Sequence, residues 1–225
     1  MEIITHIIDF VLHVDVYLDS IIQQYGFWTL AILFVVIFLE TGVVVTPFLP
    51  GDSLIFAAAT FAARGSFNAA LMFVVLSIAA VLGDTANYWI GHKVGEKAYT
   101  GELKWVKKEY MDRTHLFFEK HGGRAIFLGR FVPIIRTFVP FVAGISRMSY
   151  GFFFRWNVIG GITWVGIFTL LGYFFGNIHF VQENFELVIF AIIFISFVPV
   201  FYEWYKARKE SREAKAAAQQ EAVAE

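Results

Sequence analysis

The chain has 225 residues, 58 % of them hydrophobic and 16 % charged, with a mean hydropathy of +0.63. A soluble domain carries charge on about a quarter of its residues, and apolar runs as long as these exclude an ordinary soluble core. The formal net charge of −1 gives no ground for a nucleic-acid partner, and the absence of cysteine excludes disulfides and thiolate metal sites.

No Lys or Arg precedes Arg64, so the positive n-region of a cleavable signal peptide is missing and none is expected. Residues 1–26 read as an N-terminal amphipathic helix. Ile4, Ile7, Val11, Val14, Leu18 and Ile21 recur at helical spacing, and Glu2, Asp9, His13, Asp19 and Gln23 keep largely to the other side. Such a helix lies in the interface or against the bundle.

A membrane domain is expected over 27–205. Its first part, 27–64, is a broken segment. Phe27 to Leu39 is uncharged and apolar but short of the ~20 residues a straight span needs. Glu40, the Pro-Phe-Leu-Pro-Gly-Asp break and a second short apolar piece from Ser53 follow. Two half-length helices joined by prolines read as a re-entrant hairpin or a discontinuous helix, with Pro47, Pro50 and Gly51 as the breakers. Ser53 is placed to cap the second half.

Residues 68–91 form the first full span. Asp84 and Asn87, three apart on one helix face near its end, are either hydrated boundary groups or a secondary part of a site. Residues 92–123 read as a cytoplasmic loop with seven Lys/Arg and five Asp/Glu. Its histidines lack metal-ligand spacing. A second broken segment covers 125–145, interrupted by Pro133 and Pro140. Full spans are expected at 157–176 and 185–202, the first carrying Gly160, Gly161, Gly166 and Gly172 for close helix packing. A charged tail over 206–225 is a frayed helix or disordered. The fold class is therefore all-α: a polytopic membrane protein with two opposed re-entrant hairpins, about three full transmembrane helices and the amphipathic helix. The C-terminus is then cytoplasmic. The N-terminus lies outside, or inside if the first broken segment crosses.

Chemistry concentrates in the two broken segments. Glu40 and Asp52 sit in one, Arg130 and Arg136 in the other. On unbroken helices Glu40 and Asp52 would stand ~18 Å apart and the arginines would point about 240° apart; the breaks allow all four to converge. Leaving four such charges unpaired at mid-depth costs on the order of 10–14 kcal/mol, so partners or water are required. Two acids against two arginines cancel. Protonating both acids would leave two guanidiniums for a phosphate, which arginine grips in bidentate fashion. The alternative is a structural ion-pair network closing the bundle. The sequence has no HExxH, GxSxG or Walker loop, no Ser-Gly-His phosphatase element and no metal-ligand cluster, so an enzyme, a cofactor and a metal are not expected.

The same residues carry a family likeness. ETGVVVTPFLPGDS at 40–53 and FLGRFVPIIRTFVPFVAG at 127–144 closely resemble the two hallmark motifs of the bacterial DedA family, of the VTT (SNARE-associated) type. HGG at 121–123 and GYFFG at 172–176 fit as well, and the likeness covers roughly residues 1–205. It implies a bacterial inner-membrane protein linked to envelope integrity and to returning undecaprenyl phosphate to the cytoplasmic leaflet at the expense of the proton motive force. It also implies that Glu40 and Asp52 are the proton-coupling acids and Arg130 and Arg136 the essential arginines. The expected partners are a polyprenyl-phosphate carrier and protons, with a homodimer through glycine-bearing faces as a further option. A proton-coupled cation or drug antiporter and a non-transporting membrane organiser are the competing readings.

Overall fold

A computed structural model describes residues 14–43, 51–99, 118 and 122–176, with scattered positions between 178 and 194. The described residues are helical throughout: α1 (Val14–Tyr25), a 3-10 turn (Gly26–Trp28), α2 (Thr29–Gly42), α3 (Gly51–Ala63), α4 (Ala69–Tyr99), α5 (Gly123–Gly129), α6 (Pro133–Ile145) and α7 (Tyr150–Phe175). Pro47, Pro50 and the tail over 206–225 lie outside the described residues, as does most of the span expected at 185–202.

Two helices are long and apolar enough to cross a bilayer, α4 and α7. At 1.5 Å per residue the 31 residues of α4 reach roughly 46 Å, well beyond a ~30 Å hydrocarbon core. The excess explains a correction. The polar stretch expected to be loop from His92 onward continues as helix to Tyr99, carrying Lys93, Glu96 and Lys97 past the apolar zone. Asn68 starts this helix by accepting the Leu71 N–H at 3.0 Å. Helix α7 likewise begins at Tyr150, seven residues before the expected start at 157. Leu71, Val74, Ile78 and Leu82 on α4, and Ile159, Ile162, Leu170 and Phe174 on α7, are exposed in the single chain. Apolar stripes turned outward suit lipid rather than water.

Around the two long helices the short ones are arranged reciprocally. Helices α2 and α6 pack on α4, whereas α3 and α5 pack on α7, and α4 touches α7. Each unit of half-helix, break, half-helix and long helix thus places its first half on its own long helix. The second half goes to the long helix of the other unit. Such exchange is what two structural repeats related by a two-fold axis produce. Helix α3 is the most enclosed element. From Ser53 to Ala62 every side chain is buried, and Ile55, Ala57, Ala58 and Ala59 are wholly inaccessible. Its sequence is apolar all round, as a helix without a wet face must be.

Small residues set the helix spacings. A Cβ on Gly144 of α6 would strike the backbone carbonyl of Tyr88 on α4, and one on Gly172 of α7 would strike the carbonyl of Phe56 on α3. Thr60 then donates across the same α3–α7 seam to the Gly172 carbonyl at 3.2 Å. The second break is drawn by Pro133, which occupies the first position of α6, where a missing N–H costs nothing. Val132 before it is extended, as a residue preceding proline prefers. Pro140, expected to be a second breaker, is not one: α6 continues through it to Ile145, although the Arg136 carbonyl loses its usual i+4 donor.

Adding a methyl at Gly144 should therefore cost about 1–3 kcal/mol, the usual penalty of overpacking. In micelles, Gly144→Ala is expected to unfold at a clearly lower temperature than wild type. Gly151→Ala, whose added Cβ meets nothing within 4 Å, should unfold no lower than wild type.

Candidate functional site

The polar centre forms between α4 and α7, from side chains near the end of α2, the start of α3, the end of α5 and the start of α6. Glu40 stands in the last turn of α2, and its Oε1 accepts the backbone N–H of Gly51, the first residue of α3, at 3.1 Å. A carboxylate at that point satisfies an orphan donor and meets the positive end of the α3 dipole. The cap of α3 is thus Glu40 and not Ser53, whose buried hydroxyl has no hydrogen-bond partner among the described residues. Glycine at 51 leaves room for the Glu40 carboxylate, which a Cβ there would displace.

Arg136, one turn into α6, sends one guanidinium nitrogen to Glu40 Oε1 and the other to Asp52 Oδ1, the latter at 2.6 Å. One planar fork therefore spans the first break and joins the end of α2 to the start of α3. Asp52 also accepts the indole N–H of Trp164 on α7 at 2.9 Å. The centre of the Trp164 ring lies 5.2 Å from the Arg136 guanidinium carbon and 6.0 Å from that of Arg130, within the range at which the ring's face favours a cation.

Arg130 stands at the C-terminal end of α5, just before the second break. Its Nη2 pairs with Asp84 of α4 and reaches Asn157 Oδ1 of α7 at 2.5 Å. Asn157 in turn donates to the Val81 carbonyl at 3.0 Å, fixing the orientation of its amide. Asn87, one turn beyond Asp84, donates to the carbonyls of Thr41 at 3.2 Å and Thr137 at 2.7 Å, so a single amide ties α2 and α6 to α4. Glu40, Asn87, Arg130, Arg136 and Asp84 are all buried. Among the described residues no group of three His, Asp or Glu side chains gathers as a metal-ligand set.

The four residues singled out in the broken segments are thus brought together, but the pairing differs from the balanced two-against-two arrangement. Arg136 takes both Glu40 and Asp52, and Arg130 is held by Asp84, making three carboxylates to two guanidiniums. Asp84 and Asn87, which the sequence leaves open between boundary groups and part of a site, are buried. They lie mid-helix and face the centre, because α4 extends a further two turns past the apolar zone. Trp164 and Asn157 were not singled out in the sequence. Trp164 did carry a signal: tryptophan favours the membrane interfaces, and one placed mid-span needs an acceptor for its N–H. Asn157 at the edge of an apolar run gave a weaker one.

Removing one partner of a buried ion pair costs about 3–5 kcal/mol, whereas losing a neutral donor to a charged acceptor costs about 1.5–3 kcal/mol. Trp164→Phe, which keeps a ring under the guanidiniums and loses the donor to Asp52, should lower stability in micelles by the smaller amount. Gly51→Ala, which displaces the Glu40 carboxylate, should cost more; equal unfolding temperatures for the two would contradict the geometry.

Comparison with known proteins places these residues in a wider setting. The VTT domain model matches residues 49–174. Protein DedA of Escherichia coli K12 is 48 % identical over 217 residues, covering 95 % of this chain and 99 % of that protein. The membrane protein ML0287 of Mycobacterium leprae is 40 % identical over 84 % of this chain and 87 % of its own length. The inner membrane protein YqjA of Escherichia coli K12 is 36 % identical over 65 % of this chain and 67 % of its own length. No solved structure matches the chain.

Proposed function

The chain belongs to the VTT-domain family of DedA-type membrane proteins, and from that premise we propose that it is a proton-coupled translocase for a polyprenyl-phosphate head group. Undecaprenyl phosphate is the foremost candidate. The setting is a bacterial inner membrane, with several crossings and a cytoplasmic C-terminus, and the role is in cell-envelope biogenesis rather than in catalysis. The observation that carries this reading is the Arg136 fork shared by Glu40 and Asp52 across a helix break.

A guanidinium cannot shed its charge, so it must always face an anion at this depth. A phosphate offers the same planar pair of acceptors that two carboxylates provide here. Exchange needs somewhere for the carboxylates' charge to go, because an acid left ionised and unpaired in a buried site carries a penalty of several kcal/mol. Protonation of Glu40 and Asp52 removes that penalty and frees the fork, which couples guest binding to proton uptake. Both acids flank the break, so the exchange also removes the ties between α2 and α3. Glu40 would drop its hold on the Gly51 N–H, and the two half-helices could then move apart. The Trp164 ring stays as a platform for the cation in either state.

Reconstitution in liposomes with a labelled polyprenyl phosphate tests the assignment. Wild type is expected to move the lipid across the bilayer when a pH gradient is imposed. Arg136→Lys should lose about tenfold or more, because a point charge replaces a bidentate fork; full activity would remove the phosphate clamp. Glu40→Gln should flatten the dependence on the gradient, and an unchanged dependence would take Glu40 out of the coupling. Cation flux without lipid movement would point to an antiporter. Variants that act solely through lowered abundance would point to a membrane organiser.

A further inference from the structure

The carboxylates at the centre are unevenly divided, two to Arg136 and one to Arg130. Glu40 and Asp52 are both committed to Arg136, while Asp84 by itself supplies the anion for Arg130. The two arginines are therefore restrained from different places: Arg136 from the ends of α2 and α3, and Arg130 from the middle of α4. The charges that act on Asp84 are Arg130 beside it and Arg136 from α6, with Glu40 and Asp52 on the far side of Arg136. Helix α7 contributes the uncharged Asn157.

Three features show that Arg130 is restrained without being used up. Its Nη1 is buried and has no hydrogen-bond partner among the described residues, and the same holds for Nε of Arg136. Both guanidiniums lie against one Trp164 ring. Beneath Arg130 the surface of α7 is bare backbone: a Cβ on Gly161 would come within 3.4 Å of Nη1, and one on Gly160 within 3.4 Å of Nε. A planar cation lying on a glycine bed and held through a single nitrogen can turn toward a new anion. A cation packed on every side cannot.

We propose that Asp84 is a third coupling carboxylate, which occupies Arg130 in the closed site and must give it up before both arginines can grip one phosphate group. The proposal rests on the phosphate reading above and assigns release of the second arginine to a long helix rather than to either break. A phosphate monoester has enough terminal oxygens to bridge two guanidiniums. With Asp84 ionised and in place, it would have to compete for Arg130 against a carboxylate already seated. Asp84 then acts as a brake on binding and as a requirement for coupled release.

These two effects run in opposite directions, which separates this role from a structural one. The full-length protein in micelles is titrated with farnesyl phosphate at neutral and at mildly acidic pH, and the same variants are assayed for lipid movement in liposomes. Asp84→Asn should bind farnesyl phosphate about tenfold more tightly than wild type at neutral pH, gain less on acidification and move lipid more slowly. Binding and transport that fall together, or an unchanged affinity and pH profile, would overturn the proposal and leave the phosphate reading standing. Wild type that binds farnesyl phosphate at neither pH would remove both. Should Asp84→Asn fail to fold, Asn157→Ala removes the neutral acceptor from the same nitrogen and keeps every charge. It should raise affinity at neutral pH by a smaller factor, and no rise would overturn the proposal.

Discussion

One buried guanidinium dictates much of what surrounds it. Arg136 carries a permanent charge in a region where an unpaired charge is barely tolerated, and it is satisfied by two carboxylates that no continuous helix could bring to one point. The first break exists in that sense for the fork: α2 must stop at Gly42 and α3 must begin at Gly51 for Glu40 and Asp52 to meet the same side chain. Glu40 then serves twice, as partner to the cation and as cap to α3. Any event that neutralises it disturbs an ion pair and a helix start together.

The remaining architecture supplies walls for this centre. Two long helices each receive a half-helix from either unit, so both units contribute walls to the site. Glycines on α4, α6 and α7 allow backbones to approach closely where the halves cross the long helices. Asn87 bonds the carbonyls of Thr41 and Thr137, and Asn157 bonds the buried Arg130. Trp164 closes the floor with an indole that is both donor and platform. The half-helices are thus held to the long helices by close packing, and to one another across the first break by the Arg136 ion pairs.

Much of this was legible in the chain. Charged residues inside apolar runs are rare enough to mark a site without any structure, and the prolines beside them marked the breaks. Glu40, Asp52, Arg130 and Arg136 could be selected on those grounds, and the motif resemblance selects the same four. Asp84 was visible as a carboxylate in an apolar span but was left between two readings, since its depth depended on where the helix ended. Arg130 was assumed to share the acids of the first break, whereas it is held from α4. Pro140 looked like a breaker because local propensity says so, yet packing against α4 keeps α6 intact through it. Gly91 and Gly95 on α4 stand at the four-residue spacing of a helix contact, but Gly95 falls in the polar stretch after the span expected at 68–91 and reads as loop.

The amino-acid sequence by itself determined the class of the protein and the four charged residues set beside prolines in its apolar stretches. These follow from composition, from the ~20-residue length a crossing needs and from the cost of burying charge, all of which are local or additive properties. Which acid faces which arginine was decided by the tertiary structure alone. Pairing depends on how half-helices separated by dozens of residues come to lie across two long ones, and that is settled by the fit of glycine-lined surfaces and the reach of individual side chains rather than by spacing along the chain.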